Sequence, residues 1–308
     1  MYIKEYWEDL MAIFAKRRRR KLPLVLSVLI IILAAAYLIM DYMGYSISDL
    51  FAPEREPVDG QITVHIIDVG QGDSILIETP EGFMLIDAGT NSSEDDLQKY
   101  LDDLGVHELE YFVVTHAHDD HYGGADMIIE EYEIKNLIYD DFGYNEKTLT
   151  MFKNSGANII DPEVRDEYFM GDAKFTVLSS DIADTRTDKN DHSIVLRLDY
   201  GLSSFVFTGD ATTYTENRIM EEFPVYELEC DFLKSGHHGS LTSSGEQFLK
   251  ALQPEIIAIS CGLNNKYGLP KQEILDRYVD IDAKYYRTDY AGDLVYVSDG
   301  ETITYQGN

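Results

Sequence analysis

Residues 115–124 read THAHDDHYGG and bring His116, His118, Asp120 and His121 together within six positions. The run before them, YFVVT at 111–115, is apolar and of strand length, so the cluster opens where a buried strand ends. A chain leaving such a strand displays His116 and His118 on one side, then turns Asp120 and His121 inward. Imidazole nitrogens and a carboxylate gathered there make a poor core and a good cation site. Any one of these histidines alone reads as an ordinary polar loop residue, but the cluster does not.

The remaining histidines point the same way. Of eight in the chain, His192 lies in NDHS at 190–193, just before an apolar run, and His237 and His238 lie in GHHG at 236–239, just after one. Only His65 and His107 fall outside these clusters. Asp73 in GQGD, Asp87 in LIDAG and Asp210 in FTGD are carboxylates at further strand ends. Cys230 and Cys261 lack metal-ligand spacing and read as small buried residues rather than as a disulfide. Nitrogen and oxygen donors without thiolate suit Zn(II), with Mn(II) as the other candidate. Two such ions about 3.5–4 Å apart can share a water and bring its pKa toward neutrality, so hydrolysis needs no Ser/His/Asp nucleophile.

The elements that must position these groups begin at residue 61. Strands at 62–69 and 74–79 flank the GQGD turn, and a turn at 80–82 leads to 83–86, an antiparallel meander. Ser93 as an N-cap and Gly105 as a stop bracket a helix over 94–104. After the strand that carries the cluster comes a helix, and residues 135–171 alternate strand, helix and loop. A second series of strands is expected at 174–179, 193–200 and 204–208, with a helix at 213–223. A strand at 227–235, a helix at 243–252, a strand at 255–260, a helix opened by Pro270 and running to 279, and two strands complete the chain. Two similar halves, each of strands then helices, predict an α/β architecture of two stacked sheets covered on their outer faces by helices.

Charge and hydropathy divide the chain of 308 residues. Its net charge is −31, yet the first fifty residues hold seven Lys/Arg and five Asp/Glu, which leaves 18 basic against 51 acidic residues, a balance of −33. So acidic a domain repels a phosphate backbone at long range and has no basic nucleic-acid-binding face. Residues 1–21 form an N-terminal segment ending in the basic block KRRRRK at 16–21. Behind it, 22–40 is a run of nineteen residues without a charge, long enough to cross about 30 Å of hydrocarbon as a helix. A single transmembrane signal anchor over 22–43 is expected, with the basic end in the cytoplasm and the rest of the chain extracellular at the cell membrane. The small residues at 34–36 would suit a signal peptidase, but the apolar run continues past them and favours an uncleaved anchor. Residues 44–60, with Pro53 and Pro57 among charges, read as a linker to a hydrolase domain at 61–308.

Taken in order, VGQGDS, LIDAG, THAHDDH, FTGDA and SGHHGS resemble the metallo-beta-lactamase superfamily. Within it, the chain is similar to the hydrolase domain at the C-terminus of ComEC-type DNA-uptake competence channels. The likeness covers 61–300. It implies a four-layer αβ/βα sandwich with two divalent metal ions at one edge. It assigns His116, His118 and His192 to one metal and Asp120, His121 and one of His237 and His238 to the other, with Asp210 bridging. His238 is taken as the ligand and His237 as the substrate-facing partner. Asp87 would orient a ligand imidazole. Asp73 would act similarly or simply shape its turn.

The channel's many membrane helices and its nucleic-acid-binding module have no counterpart here, so a transport channel is not expected. The expected activity is metal-dependent hydrolysis of a phosphoester, with Asp120 and His237 placed for proton handling. The substrate is single-stranded DNA on the family likeness. It is a small molecule or an envelope polymer, such as one decorated with phosphocholine, on the acidic surface. A non-catalytic anchored binding domain is the reading from another class.

Overall fold

Strand direction is what gathers the polar strand ends. The computed structural model describes residues 60–180 and 188–307, with Ile30 and Ala34. The expected basic segment, membrane span and linker therefore lie outside the described residues, save Ile30, Ala34 and Gly60. Among the described residues no helix is long and apolar enough to cross a membrane.

In chain order the strands are β1 (Ile62–Ile66), β2 (Ile75–Thr79), β3 (Gly82–Ile86), β4 (Glu108–Val113), β5 (Glu133–Ile138), β6 (Asn158–Ile160), β7 (Glu167–Met170) and β8 (Ala173–Ser179). They continue with β9 (Val195–Tyr200), β10 (Ser203–Phe207), β11 (Phe232–Lys234), β12 (Ile256–Ile259), β13 (Lys284–Arg287), β14 (Leu294–Ser298) and β15 (Ile303–Tyr305). One sheet runs β15-β14-β1-β2-β3-β4-β5-β6 and the other β13-β12-β11-β10-β9-β8-β7. Each is half antiparallel and half parallel. The meander β1 to β3 is antiparallel and β3 to β6 parallel; β7 to β10 are antiparallel and β10 to β13 parallel.

The parallel halves need crossovers, and helices supply them. Glu94–Asp103, Ala125–Glu131 and Glu146–Lys153 connect the strands from β3 to β6, and Thr213–Glu222, Glu246–Leu252 and Gln272–Asp280 connect those from β10 to β13. The period-two alternation of each strand then sorts side chains to two faces. Met84, Ile86, Phe205, Phe207 and Phe232 pack between the sheets. Leu85, Phe112 and Leu137 pack outward against Leu97, Leu101 and Phe152 of one helical layer, while Val206, Leu233 and Ile257 meet Ile219, Phe248 and Ile274 of the other. Three apolar seams separate four layers, the αβ/βα sandwich that the sequence pattern predicts. Both cysteines are buried and free, also as expected.

Local boundaries differ where tertiary contacts override pattern. The strand expected at 227–235 is only β11, because Pro224 starts a short helix at Val225–Leu228 instead. Pro270 precedes rather than opens its helix, which begins at Gln272. Ser93 sits at an N-cap, but its hydroxyl donates back to the Thr90 carbonyl at 2.7 Å rather than capping the helix.

Glu216, on the helix Thr213–Glu222, holds the loop that follows His238. Its buried carboxylate accepts from Ser244 N and, at 2.9 Å, from Gly245 N. Burial pushes this carboxyl up to about 7 against the pull of those amides and of Arg277. An acid raised in the folded state stabilises fully below its unfolded pKa, and the contribution is lost as pH rises through the folded value. Between pH 4.5 and about 7 the fold should therefore lose about 3 kcal/mol from this group. Urea midpoints for wild type and Glu216→Gln at pH 5 and pH 8 check this: the difference between the two proteins should change with pH in the variant's favour, whatever its constant offset.

Candidate metal centre

Because β2 and β9 run antiparallel to β3 and β10, their starts lie beside the ends of their neighbours, with Ile75 opposite Ile86 and Leu196 opposite Phe207. Asp73 and His192, which precede strands, thus reach the same rim as Asp87, His116, Asp210 and His238, which follow them. Backbone bonds stitch the segments together. Ile194 N donates to Thr115 O at 2.9 Å, Ala88 N to His121 O at 2.7 Å, and Asp73 N to Asp120 O at 3.1 Å. At Gly72 a Cβ would lie against the Asp120 carbonyl oxygen, so the GQGD turn needs glycine there to let the two loops touch.

Asp210 is the centre of the cluster. It is buried, with Oδ1 3.3 Å from His121 Nε2 and 3.6 Å from His238 Nε2, and Oδ2 3.5 Å from His237 Nε2 and 3.9 Å from His116 Nε2. Asp120 Oδ2 is 3.5 Å from His238 Nε2, and His118 Nδ1 is 3.0 Å from His116 Nε2. Donor atoms of His116, His121 and Asp210 lie within 4.8 Å of one another, as do those of Asp120, His121 and His238. The carboxylate groups thus link two neighbouring positions, each able to hold a cation.

The outer nitrogens explain why the rings face inward. His121 Nδ1 lies 2.7 Å from Asp87 Oδ2, His238 Nδ1 donates to Ser260 O at 3.1 Å, His116 Nδ1 meets Thr115 Oγ1 at 3.1 Å, and His237 Nδ1 meets Thr242 Oγ1 at 2.8 Å. Such partners fix ring orientation and leave Nε2 to point at the cluster. His192 Nδ1 lies 3.3 Å from Asp140 Oδ2, while the donor groups that close to within 4.8 Å of one another include His116, His121, Asp120, Asp210 and His238. Asp87 is fixed in turn by Thr115, whose N and Oγ1 each donate at 2.7 Å.

The donor set fits a cation. His121 Nε2, His238 Nε2 and Asp210 Oδ1 are buried without a hydrogen-bond partner among the described residues, although they lie within 3.3–3.6 Å across the carboxylate. A buried polar atom so placed is costly unless it coordinates something. Electrostatics agree. Burial opposes charge throughout, yet the Asp210 carboxylate holds His121 protonated well above the usual histidine range and raises His238 to about 10. Those imidazoles in turn hold Asp210 well below the carboxylate range, and Asp120 falls to about 2. Burial, helped by the charge on His121, keeps His116 neutral. The carboxylates thus draw positive charge to the middle of the pocket, either on the imidazoles or on a cation held in its place.

Backbone strain concentrates here too. Asp87, His237 and His238 have φ of 61°, 48° and 54°, left-handed values that non-glycine residues adopt only when their surroundings impose them.

A family model of the metallo-beta-lactamase superfamily matches residues 67–262, a span that contains every member of this cluster. The chain belongs to the metallo-beta-lactamase superfamily. Within this superfamily it is similar to competence proteins of the ComEC type. ComE operon protein 3 of Bacillus subtilis is 34% identical over 256 residues, covering 76% of this chain and 32% of that protein. Competence protein ComA of Neisseria gonorrhoeae is 27% identical over 250 residues, covering 79% of this chain and 33% of that protein. The chain thus spans about a third of the length of these curated relatives. The metallo-beta-lactamase fold protein YhfI from Bacillus subtilis shares the architecture, with a TM-score of 0.53 at 14% identity over 77% of this chain and 99% of that one. Metallo-beta-lactamase-fold hydrolases are generally enzymes that use divalent metals, often two.

Three members of this metallo-beta-lactamase rim are not evident from the sequence pattern. Asp140 has a signal that could have found it, since it follows β5 as Asp87 follows β3. Phe142 stacks on the His192 ring with centroids 3.7 Å apart and planes 8° from parallel. Lys234 is fully buried, and its Nζ donates to Asp73 Oδ2 at 2.7 Å across a sequence separation of 161 residues.

Proposed function

We propose that the protein is a membrane-anchored, metal-dependent hydrolase of phosphodiester bonds. The observation that carries the reading is the Asp210 carboxylate, within 3.3–3.9 Å of four imidazoles contributed by both sheets. In this reading His116, His118 and His192 would hold one divalent ion, Asp120, His121 and His238 would hold the other, and Asp210 would serve both. Zn(II) suits the ligand set best, with Mn(II) second. Bound there, the ions would supply a water acidic enough to attack at neutral pH and would draw negative charge from a phosphoryl oxygen.

The chain's own residues handle orientation and protons. Asp120 and His237 are open members of the cluster, with side chains 30% and 24% exposed. Asp120 accepts a hydrogen bond from the attacking water and so aims it. His237, kept neutral by burial, with its Nδ1 tied to Thr242 and its Nε2 beside Asp210, would donate a hydrogen bond to the developing oxyanion. The motif likeness to DNA-uptake channels favours single-stranded DNA as substrate, whereas the balance of −33 beyond residue 50 favours a small or envelope-linked phosphodiester. The basic block followed by an uncharged run of nineteen residues supports an anchor with the hydrolase domain outside the cell.

The test uses the full chain in detergent, loaded with Zn(II) or Mn(II), on bis-p-nitrophenyl phosphate and on single-stranded DNA. Metal-dependent turnover of either supports the proposal. Tight substrate binding without turnover in both metals would replace it with an anchored binding domain. DNA cleavage that weakens steeply with salt would single out nuclease activity. Asp140→Asn should weaken metal binding about 10- to 100-fold by loosening the His192 ring, as a chelator competition would measure.

A further inference from the structure

Lys234 takes no part in the chemistry above, yet it lies fully buried against the cluster. Its Nζ donates to Asp73 Oδ2 at 2.7 Å and to Ser235 O at 3.1 Å. The other Asp73 oxygen, Oδ1, is buried and lacks a hydrogen-bond partner among the described residues, although it lies 3.4 Å from His238 Nδ1. The proton on that Nδ1 goes to the Ser260 carbonyl instead. Asp73 therefore has one oxygen engaged by the Lys234 cation at 2.7 Å and the other facing only the His238 ring at 3.4 Å. It also stands within coordinating reach, since donor atoms of Asp73, Asp210 and His238 lie within 4.8 Å of one another, as do those of Asp73, Asp87 and His121.

Fixing His238 does not need this carboxylate, because a carbonyl oxygen can only accept and Ser260 already sets the tautomer. Nor does the GQGD turn need a buried charge, since its links to Asp120 O and Gly89 N run through the Asp73 backbone. What the Lys234 contact does is restrain an oxygen ligand in reserve.

We propose that Lys234 is a specificity-determining positioning residue that keeps Asp73 out of the coordination sphere of the Asp120/His121/His238 position. This rests on the two-metal reading. With Asp73 restrained, that position has few protein ligands, which suits Zn(II). A further carboxylate would favour Mn(II), which takes more oxygen ligands. Without Lys234, a buried carboxylate that has lost its cation turns to the nearest positive charge, and that charge is the metal.

The experiment compares Zn(II) and Mn(II) affinities of the full chain by chelator competition, with circular dichroism on each protein. Lys234→Met should raise the affinity for Mn(II) relative to Zn(II) about tenfold or more, and adding Asp73→Asn to it should return the ratio to near wild type, because an amide is a poor ligand. Asp73→Asn alone should leave the ratio unchanged, a prediction that stands even where Lys234→Met does not fold. An unchanged ratio in Lys234→Met, or equal loss of both metals, overturns the proposal, as does a shifted ratio in Asp73→Asn alone. Wild-type protein that takes up no metal brings down the two-metal reading and this inference with it, whereas wild-type metal content with an unshifted ratio brings down this inference only.

Discussion

Asp210→Asn should reduce hydrolysis by about three orders of magnitude and leave the purified protein with at most one equivalent of metal where two are expected in wild type. The substitution keeps the shape of the side chain, so the three apolar seams and the backbone bond from Asp210 N to Ser193 Oγ are untouched. What changes is charge and lone-pair count. Both carboxylate oxygens face imidazole nitrogens at 3.3–3.9 Å, and an amide must turn an N–H toward at least one of them. Neither Asp87 nor Asp73 is free to substitute: Asp87 is held by Thr115 and His121, and Asp73 by Lys234. Metal analysis alongside bis-p-nitrophenyl phosphate turnover is the measurement. Undiminished turnover in a folded variant would remove Asp210 from the site, and the shared-ligand arrangement with it.

The parts of this centre that can be read from the chain are those with a local cause. An apolar strand followed at once by His, Asp or a His pair marks a strand end, and the alternation of Met84, Leu85 and Ile86 fixes which side chains face the other sheet. Two stacked sheets flanked by helices follow from that pattern and from helix stops such as Gly105, whose φ is 74°. What could not be read depends on contacts between distant segments. Lys234 looks like the polar end of a short strand until the fold sets it against Asp73. Phe142 looks like an ordinary loop aromatic until β5 and the segment before β9 bring it over His192. The left-handed backbone at His237 and His238 is not legible from the chain either, since histidine visits that region more often than most residues but still only rarely. Tertiary contacts impose it, including the bond from His237 N to Gly209 O at 3.1 Å and that from His238 Nδ1 to Ser260 O.

That imposed conformation leads to the second large effect. Stripping the metals should lower the melting temperature by about 10 °C or more, and adding Zn(II) back should restore it. A ligand that binds only the folded state stabilises it by about 4 kcal/mol at a thousand times its Kd, and each kcal/mol moves the melting point of a domain this size by about 2–4 °C. The cluster binds the folded state selectively because its donors come from segments as far apart as Asp73 and His238, which an unfolded chain does not hold together. The loss should also be uneven. The seams between layers do not involve the centre, whereas the left-handed turn at Gly236–Gly239 carries His237 and His238, whose Nε2 atoms face Asp210, so loss of the cation acts on it directly. Amide exchange in the stripped protein should therefore quicken first at 236–240 and 116–121, with the inner strands of both sheets still protected. Scanning calorimetry with and without chelator checks the first effect, and hydrogen exchange checks the second. A melting point indifferent to chelator and to added zinc would mean that the converging imidazoles hold no cation in the folded protein, and that the strain at His237 and His238 is balanced by packing alone.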